Sequence, residues 1–138
     1  MPERPDAVEQ ALRALRFRDR STAELDARLA RRGVGEPERA QALETLERVG
    51  YVDDERYART RAEQLADRGS GDTLIRYDLE GRGIAAELVE AALAALEPER
   101  ERAERVLVRR GRSLGTARYL AARGFGADVL ESVVAQEE

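Results

Sequence analysis

Asp53 and Asp54 are adjacent carboxylates, a pairing that could begin a metal site or an acid–base pair. Nothing nearby completes either chemistry. The chain has no histidine and no cysteine, and no third carboxylate motif stands beside the pair at a ligand spacing. Asp53 instead suits the N-cap of a helix that starts near Asp54, where both negative charges favour the helix terminus. Gly69-Ser70-Gly71 could cradle a phosphate, but it lacks the Gly-Lys-Ser/Thr ending of a P-loop. It reads as a helix stop followed at once by a helix start. A hydrolase needs a nucleophile and a base, and without histidine, cysteine or lysine only carboxylates remain for that work. The expectation is a non-enzymatic protein with no catalytic residue, no metal and no cofactor.

The side chains left with chemistry to offer are guanidinium groups. All 24 basic residues are arginine, a usage spread so evenly that genome composition explains it. Two sets are candidates for contacting a carboxylate or phosphate on a partner. Arg102, Arg105, Arg109 and Arg112 fall at steps of three, four and three, one stripe of a helix, which Glu101 and Glu104 would brace if the stripe were only solvated. Arg56, Arg59, Arg68, Arg76 and Arg82 are isolated positive charges in an acidic stretch. Among the aromatics, Tyr51 and Tyr57 are expected to pack between helices, and Tyr119 to be partly exposed.

The net charge of −4 argues against a dedicated non-specific nucleic-acid binder. The charge is uneven: residues 1–50 balance, residues 51–97 carry six arginines against eleven acids, and residues 98–138 carry eight against seven. An acidic middle suits a protein partner better than a phosphate backbone. The first ten residues do not resemble a signal peptide, and no apolar run approaches the roughly 20 residues that cross a bilayer. A cytoplasmic protein without a membrane partner is therefore expected.

Helical spacing positions these residues. Val8, Ala11, Leu12 and Leu15, then Leu25 and Leu29, then Leu43, Leu46 and Val49 recur at three- and four-residue steps. Ser21-Thr22-Ala23-Glu24 reads as a capping box. Pro37 and Pro98 suit first helical positions. Ser70 or Asp72 suits another N-cap. Five Arg-Gly pairs, ending at Gly33, Gly69, Gly83, Gly111 and Gly124, read as helix stops: glycine turns the chain left-handed and arginine complements the helix dipole. The boundaries predict nine short helices at 6–18, 22–32, 37–49, 54–68, 72–82, 86–96, 98–110, 114–123 and 127–136, with no strands.

Three of these stops repeat a longer pattern. Arg32-Gly33-Val34, Arg82-Gly83-Ile84 and Arg123-Gly124-Phe125 each follow a leucine placed four before the glycine: Leu29, Leu79 and Leu120. Ten residues after each glycine stand Leu43, Leu93 and Val134; thirteen after stand Leu46, Leu96 and, in the third copy, Glu137. The third copy is therefore expected to be the least stable and to serve as an end cap. The fold class expected is all-α: three tandem three-helix repeats, at 1–50, 51–97 and 98–138, stacked into an elongated, curved array because each copy alone buries too little surface. The apolar residue after each glycine should fold back over its turn. A helix-turn-helix DNA-binding protein is the alternative, but the residues after the turns (Glu36-Pro37-Glu38, Ala85-Ala86-Glu87, Gly126-Ala127-Asp128) are acidic or inert where a recognition helix needs donors.

Several segments in order carry a resemblance: Ser21-Thr22-Ala23-Glu24-Leu25 with Leu29 and Arg32-Gly33-Val34; Gly50-Tyr51-Val52-Asp53-Asp54-Glu55-Arg56-Tyr57-Ala58; and Arg68-Gly69-Ser70-Gly71 through Ile75 and Leu79 to Arg82-Gly83-Ile84. From about Ala11 to Val134 the chain resembles the RecX family, bacterial regulators of the RecA recombinase. The chain is short for that family, and Arg82 stands where lysine is common. The resemblance implies three tandem three-helix repeats. It also implies a regulator, expected to act as a monomer, that binds RecA and lies in the groove of its filament on single-stranded DNA. Such a regulator damps ATP hydrolysis, strand exchange and the co-protease step of the SOS response. This chain departs from the family in being acidic overall, which leaves room for only weak direct contact to DNA.

Overall fold

Short amphipathic stretches closed by caps and glycines give a chain of helices. The computed structural model describes residues 6–134, and among them there are nine helices and no strand: α1 (Ala7–Leu15), α2 (Thr22–Arg31), α3 (Glu36–Arg48), α4 (Asp54–Asp67), α5 (Asp72–Gly81), α6 (Ala86–Ala94), α7 (Glu99–Arg110), α8 (Leu114–Ala122) and α9 (Ala127–Val134). The expected ends fit within three residues, apart from the end at 136, which lies outside the described residues. Helix α1 stops at Leu15, three residues early, and Arg20 Nε donates to the freed Ala14 carbonyl. Pro37 stands second in its helix, and Pro98 is the N-cap of α7. Neither Ser70 nor Asp72 caps α5. Gly71 holds that position, its carbonyl accepting the first helical bond from Ile75 N–H. The capping box is present: Ser21 Oγ accepts from Glu24 N–H at 3.1 Å, and Glu24 Oε1 accepts from Ser21 N–H at 3.0 Å. The turns after α2 and α8 close with Val34 and Phe125 N–H donating to the Leu29 and Leu120 carbonyls, and Val34, Ile84 and Phe125 are all buried.

The described residues form two compact units. The first contains α1–α3, the opening turn of α4 to Tyr57, and the turn Arg82–Ile84. Its core is Ala11, Ala14, Leu25, Leu29, Val34, Leu43, Leu46 and Val52. The second contains the remainder, with Ile75, Leu79 and Val89 buried in α5 and α6, and a cluster of Ala103, Val106, Leu107, Leu120 and Phe125 joining α7 and α8. Leu96 lies past the end of α6 and is half-buried. The Val134 side chain and Glu137 lie outside the described residues. Tyr51, expected to pack, is 60% exposed. It closes the turn after Gly50 through its N–H to the Leu46 carbonyl, and Val52 takes the buried place instead.

One docking contact occurs in both units. In the first, Ser21 Oγ donates to the Arg82 carbonyl at 2.6 Å, and Asp54 Oδ1 accepts from Thr22 N–H at 2.8 Å and from its hydroxyl at 3.0 Å. In the second, Gly71 N–H donates to the Arg123 carbonyl at 2.8 Å and Thr73 N–H to the Gly124 carbonyl at 3.0 Å; Glu99 Oε1 accepts from Asp72 N–H at 3.2 Å and from Gly126 N–H at 3.0 Å. So the start of α2 rests on the turn after α5, and the start of α5 on the turn after α8. In each case the first residue of another helix, Asp54 or Glu99, supplies a carboxylate to orphan N–H groups. Asp54 thus serves α2, while Asp53 caps α4 by accepting from Arg56 N–H at 3.1 Å. Asp54→Ala should cost about 1 kcal/mol, and Asp54→Asn, which keeps an acceptor, clearly less. Urea titration checks this, and equal losses for the two variants would show that the acceptor is not what matters.

Candidate functional site

Ion pairing divides the nine candidate arginines. Arg76 pairs with Glu90, Nε to Oε1 at 2.8 Å, on an exposed face; the arginine's hydrogen bond holds the Glu90 carboxyl below its ordinary range. That contribution exists above the unfolded glutamate's range and fades as pH falls through the lower value in the folded protein. Arg82 Nη1 donates to Tyr57 Oη at 2.9 Å and lies 3.5 Å from Glu24 Oε2. Burial, with Glu24 adding to it, raises the Tyr57 phenol above its usual value, so the hydroxyl stays neutral in this cluster. Arg56 Nη2 donates to the Gly50 carbonyl at 3.4 Å, and Arg59 is exposed on α4.

The other set, Arg102, Arg105 and Arg109 on α7 and Arg112 two residues past its end, is divided three to one. Arg102 is only 9% exposed: it donates to the carbonyls of Ser70 at 2.9 Å and Glu97 at 3.0 Å, pairs with Asp72, and lies over the Phe125 ring. Arg105 pairs with Glu97, and Arg112 with Glu104. Arg109 has no carboxylate in reach among the described residues, and neither does Arg68. The structure brings these two together, one from each candidate set, along an open groove of about 300 Å³ that Arg110 and Tyr119 also line. The Arg110 guanidinium lies 3.8 Å from the Tyr119 ring centroid, and that of Arg123 lies 5.2 Å from it.

Arg110, Arg123 and Tyr119 were absent from the candidate sets, although a signal for two of them was present. Arg68, Arg110 and Arg123 all precede stop glycines, so they stand at the C-terminal ends of α4, α7 and α8. The negative ends of three helices explain how like charges gather there. A second open groove, of about 690 Å³, shares Asp67, Gly69, Val106 and Arg109 with the first and continues along Ala66, Leu96 and Val108. Among the described residues, no cluster of acidic side chains could hold a metal ion, and no helix is long and apolar enough to cross a membrane.

Comparison with known proteins adds to this geometry. Two family profiles match: one for "RecX, first three-helix domain" over residues 7–46, and one for "RecX, second three-helix domain" over residues 53–93. A protein of Mycolicibacterium smegmatis named Regulatory protein RecX is 34% identical over 144 residues, spanning 91% of this chain and 76% of that one. One of the same name from Deinococcus radiodurans is 32% identical, spanning 94% and 71%. One from Mycobacterium leprae is 34% identical, spanning 99% and 90%. The crystal structure of RecX from Lactobacillus salivarius superposes with a TM-score of 0.80 at 19% identity, covering 94% of this chain and 93% of the other. That likeness speaks for the fold.

Proposed function

The chain belongs to the RecX family, and from that premise we propose that it binds the RecA recombinase and its filament on single-stranded DNA. It inhibits strand exchange, ATP hydrolysis and the co-protease activity, and so tempers DNA repair and the SOS response. It acts in the cytoplasm, as a monomer and without a cofactor, through three repeats at residues 1–50, 51–97 and 98–138. The observation that carries this reading is the match of both three-helix domains, in order, to a family of regulators. The chemistry supports it: the titratable clusters are ion pairs and caps rather than nucleophile–base pairs. The acidic starts of α3 and α9 suit duplex recognition poorly, which places the DNA-binding alternative second.

The test is RecA ATPase on single-stranded DNA with protein added below the concentration of RecA. The rate should fall, and the protein should sediment with the filament at physiological salt. An unchanged rate with no co-sedimentation would refute the reading. Tight duplex binding with a steep salt dependence would instead favour the helix-turn-helix alternative.

A further inference from the structure

We propose that the joined grooves of the second unit dock a short acidic polypeptide segment: two or more Asp or Glu side chains seat on Arg68, Arg109, Arg110 and Arg123, and an apolar side chain beside them seats against Val106, Val108 and Leu96. This deepens the reading above and rests on it, since it names the surface through which a protein partner is held. Three observations converge on it.

The first is pairing. Arg102, Arg105 and Arg112 satisfy their charge within the chain, whereas the four arginines around Tyr119 have no carboxylate in reach among the described residues. Asp67 is the one acid lining the smaller groove; Glu63, Asp67 and Glu97 line the larger, where Glu97 is already paired with Arg105, so positive charge is in excess at the meeting point, where Arg68, Arg109 and Arg110 gather beside Asp67. Guanidinium groups that find no internal anion are free to take carboxylates from outside, two bonds at a time.

The second is the ring. Tyr119 is the natural stacking platform here, and Arg110 already lies over it at 3.8 Å. The stacked arginine is held in place for an anion, while the ring is occupied as a seat for a base.

The third is continuity. The arginine groove opens without a break into a groove with an apolar wall, where Val108 is 78% exposed. A phosphate backbone has nothing to place against Val106, Val108 and Leu96, and its further charges would meet Glu63 and Asp67. A peptide with an apolar anchor next to acidic side chains fits both halves, and an exposed apolar wall beside charged residues is the usual mark of a protein-binding surface.

The experiment uses the full chain and RecA with and without a 30-nucleotide oligo(dT), read by fluorescence anisotropy. The site variant is Arg68→Glu with Arg109→Glu; neither residue touches the Tyr119 ring or an internal carboxylate, so the fold should persist, and circular dichroism checks it. Val108→Asp tests the apolar wall. Arg100→Glu with Arg118→Glu, exposed arginines outside the grooves, is the control of equal charge. The site variant should bind RecA at least tenfold more weakly and Val108→Asp several-fold more weakly, with the control within twofold of the parent. If the parent binds and the site variant matches it, the site is wrong and the regulatory reading stands. If the parent does not bind RecA, both fall. If the site variant binds RecA normally but loses affinity for oligo(dT) alone, the arginines serve phosphate and the peptide assignment is overturned.

Discussion

Gly124→Ala should destabilise the second unit by about 2–4 kcal/mol, and Gly50→Ala should destabilise the first by about 1–2 kcal/mol. The two glycines share a backbone conformation, with φ of +89° and +84°. In both, an added Cβ meets the cost that L-residues bear in the left-handed region. They differ in their surroundings. A Cβ on Gly50 meets nothing within 4 Å, whereas one on Gly124 lies 2.7 Å from both Leu74 Cβ and Leu74 N. The start of α5 presses on this turn, with its Thr73 N–H bonded to the Gly124 carbonyl, so neither side yields cheaply. The difference in urea midpoints at constant slope isolates the crowding from the backbone strain. Gly71→Ala completes the series, because its backbone is ordinary but its Cβ would strike the Gly124–Phe125 peptide. Equal losses at Gly124 and Gly50 would mean that the close approach of α5 to its docking turn contributes nothing.

That comparison bears on how much of the molecule was legible from its residues. The glycine stops, the capping box at Ser21 and Glu24, and the leucine placed four before each repeating glycine are local facts. They follow from dihedral preference and a 3.6-residue period, and the fold honours them. Partnership between distant helices is not local. Helical periodicity says that Ser21 starts α2, but not that its hydroxyl also reaches the Arg82 carbonyl. It says that Asp54 begins α4, but not that α2 lies alongside to take its carboxylate. The arginine stripe shows the same limit: even spacing along α7 suggested four equivalent side chains. The turn before α5 makes Arg102 internal, Glu97 ahead of α7 pairs Arg105, Glu104 of α7 pairs Arg112 past the helix end, and Arg109 is left to gather with arginines at the ends of α4 and α8.

Arg102 and Arg105 turn that limit into a measurement. Arg102→Leu should cost about 2–4 kcal/mol, at or somewhat below the range for removing one member of a buried pair, because Asp72 keeps 28% of its side-chain surface in water. The substitution strands the Ser70 and Glu97 carbonyls together with the Asp72 carboxylate, and Ser70 is buried. Water cannot readily replace the donor there. Arg102→Lys should recover only part of the loss, since one ammonium cannot span acceptors that the planar guanidinium reaches through three different nitrogens. Combining Arg102→Leu with Asp72→Asn should cost less than the sum of the single losses, because removing the uncompensated charge relieves part of the first substitution. Three residues along the same stripe, Arg105 also has a carboxylate partner, but it is 64% exposed. Arg105→Ala should fall within about 0.5 kcal/mol of the parent, as exposed pairs do. Thermal and urea unfolding of the two variants decide the point. Similar losses would mean that burial does not distinguish the pairs and that Arg102 is an ordinary surface arginine. A large loss at Arg102 alone would establish that the network joining α5 to α7 holds the second unit together.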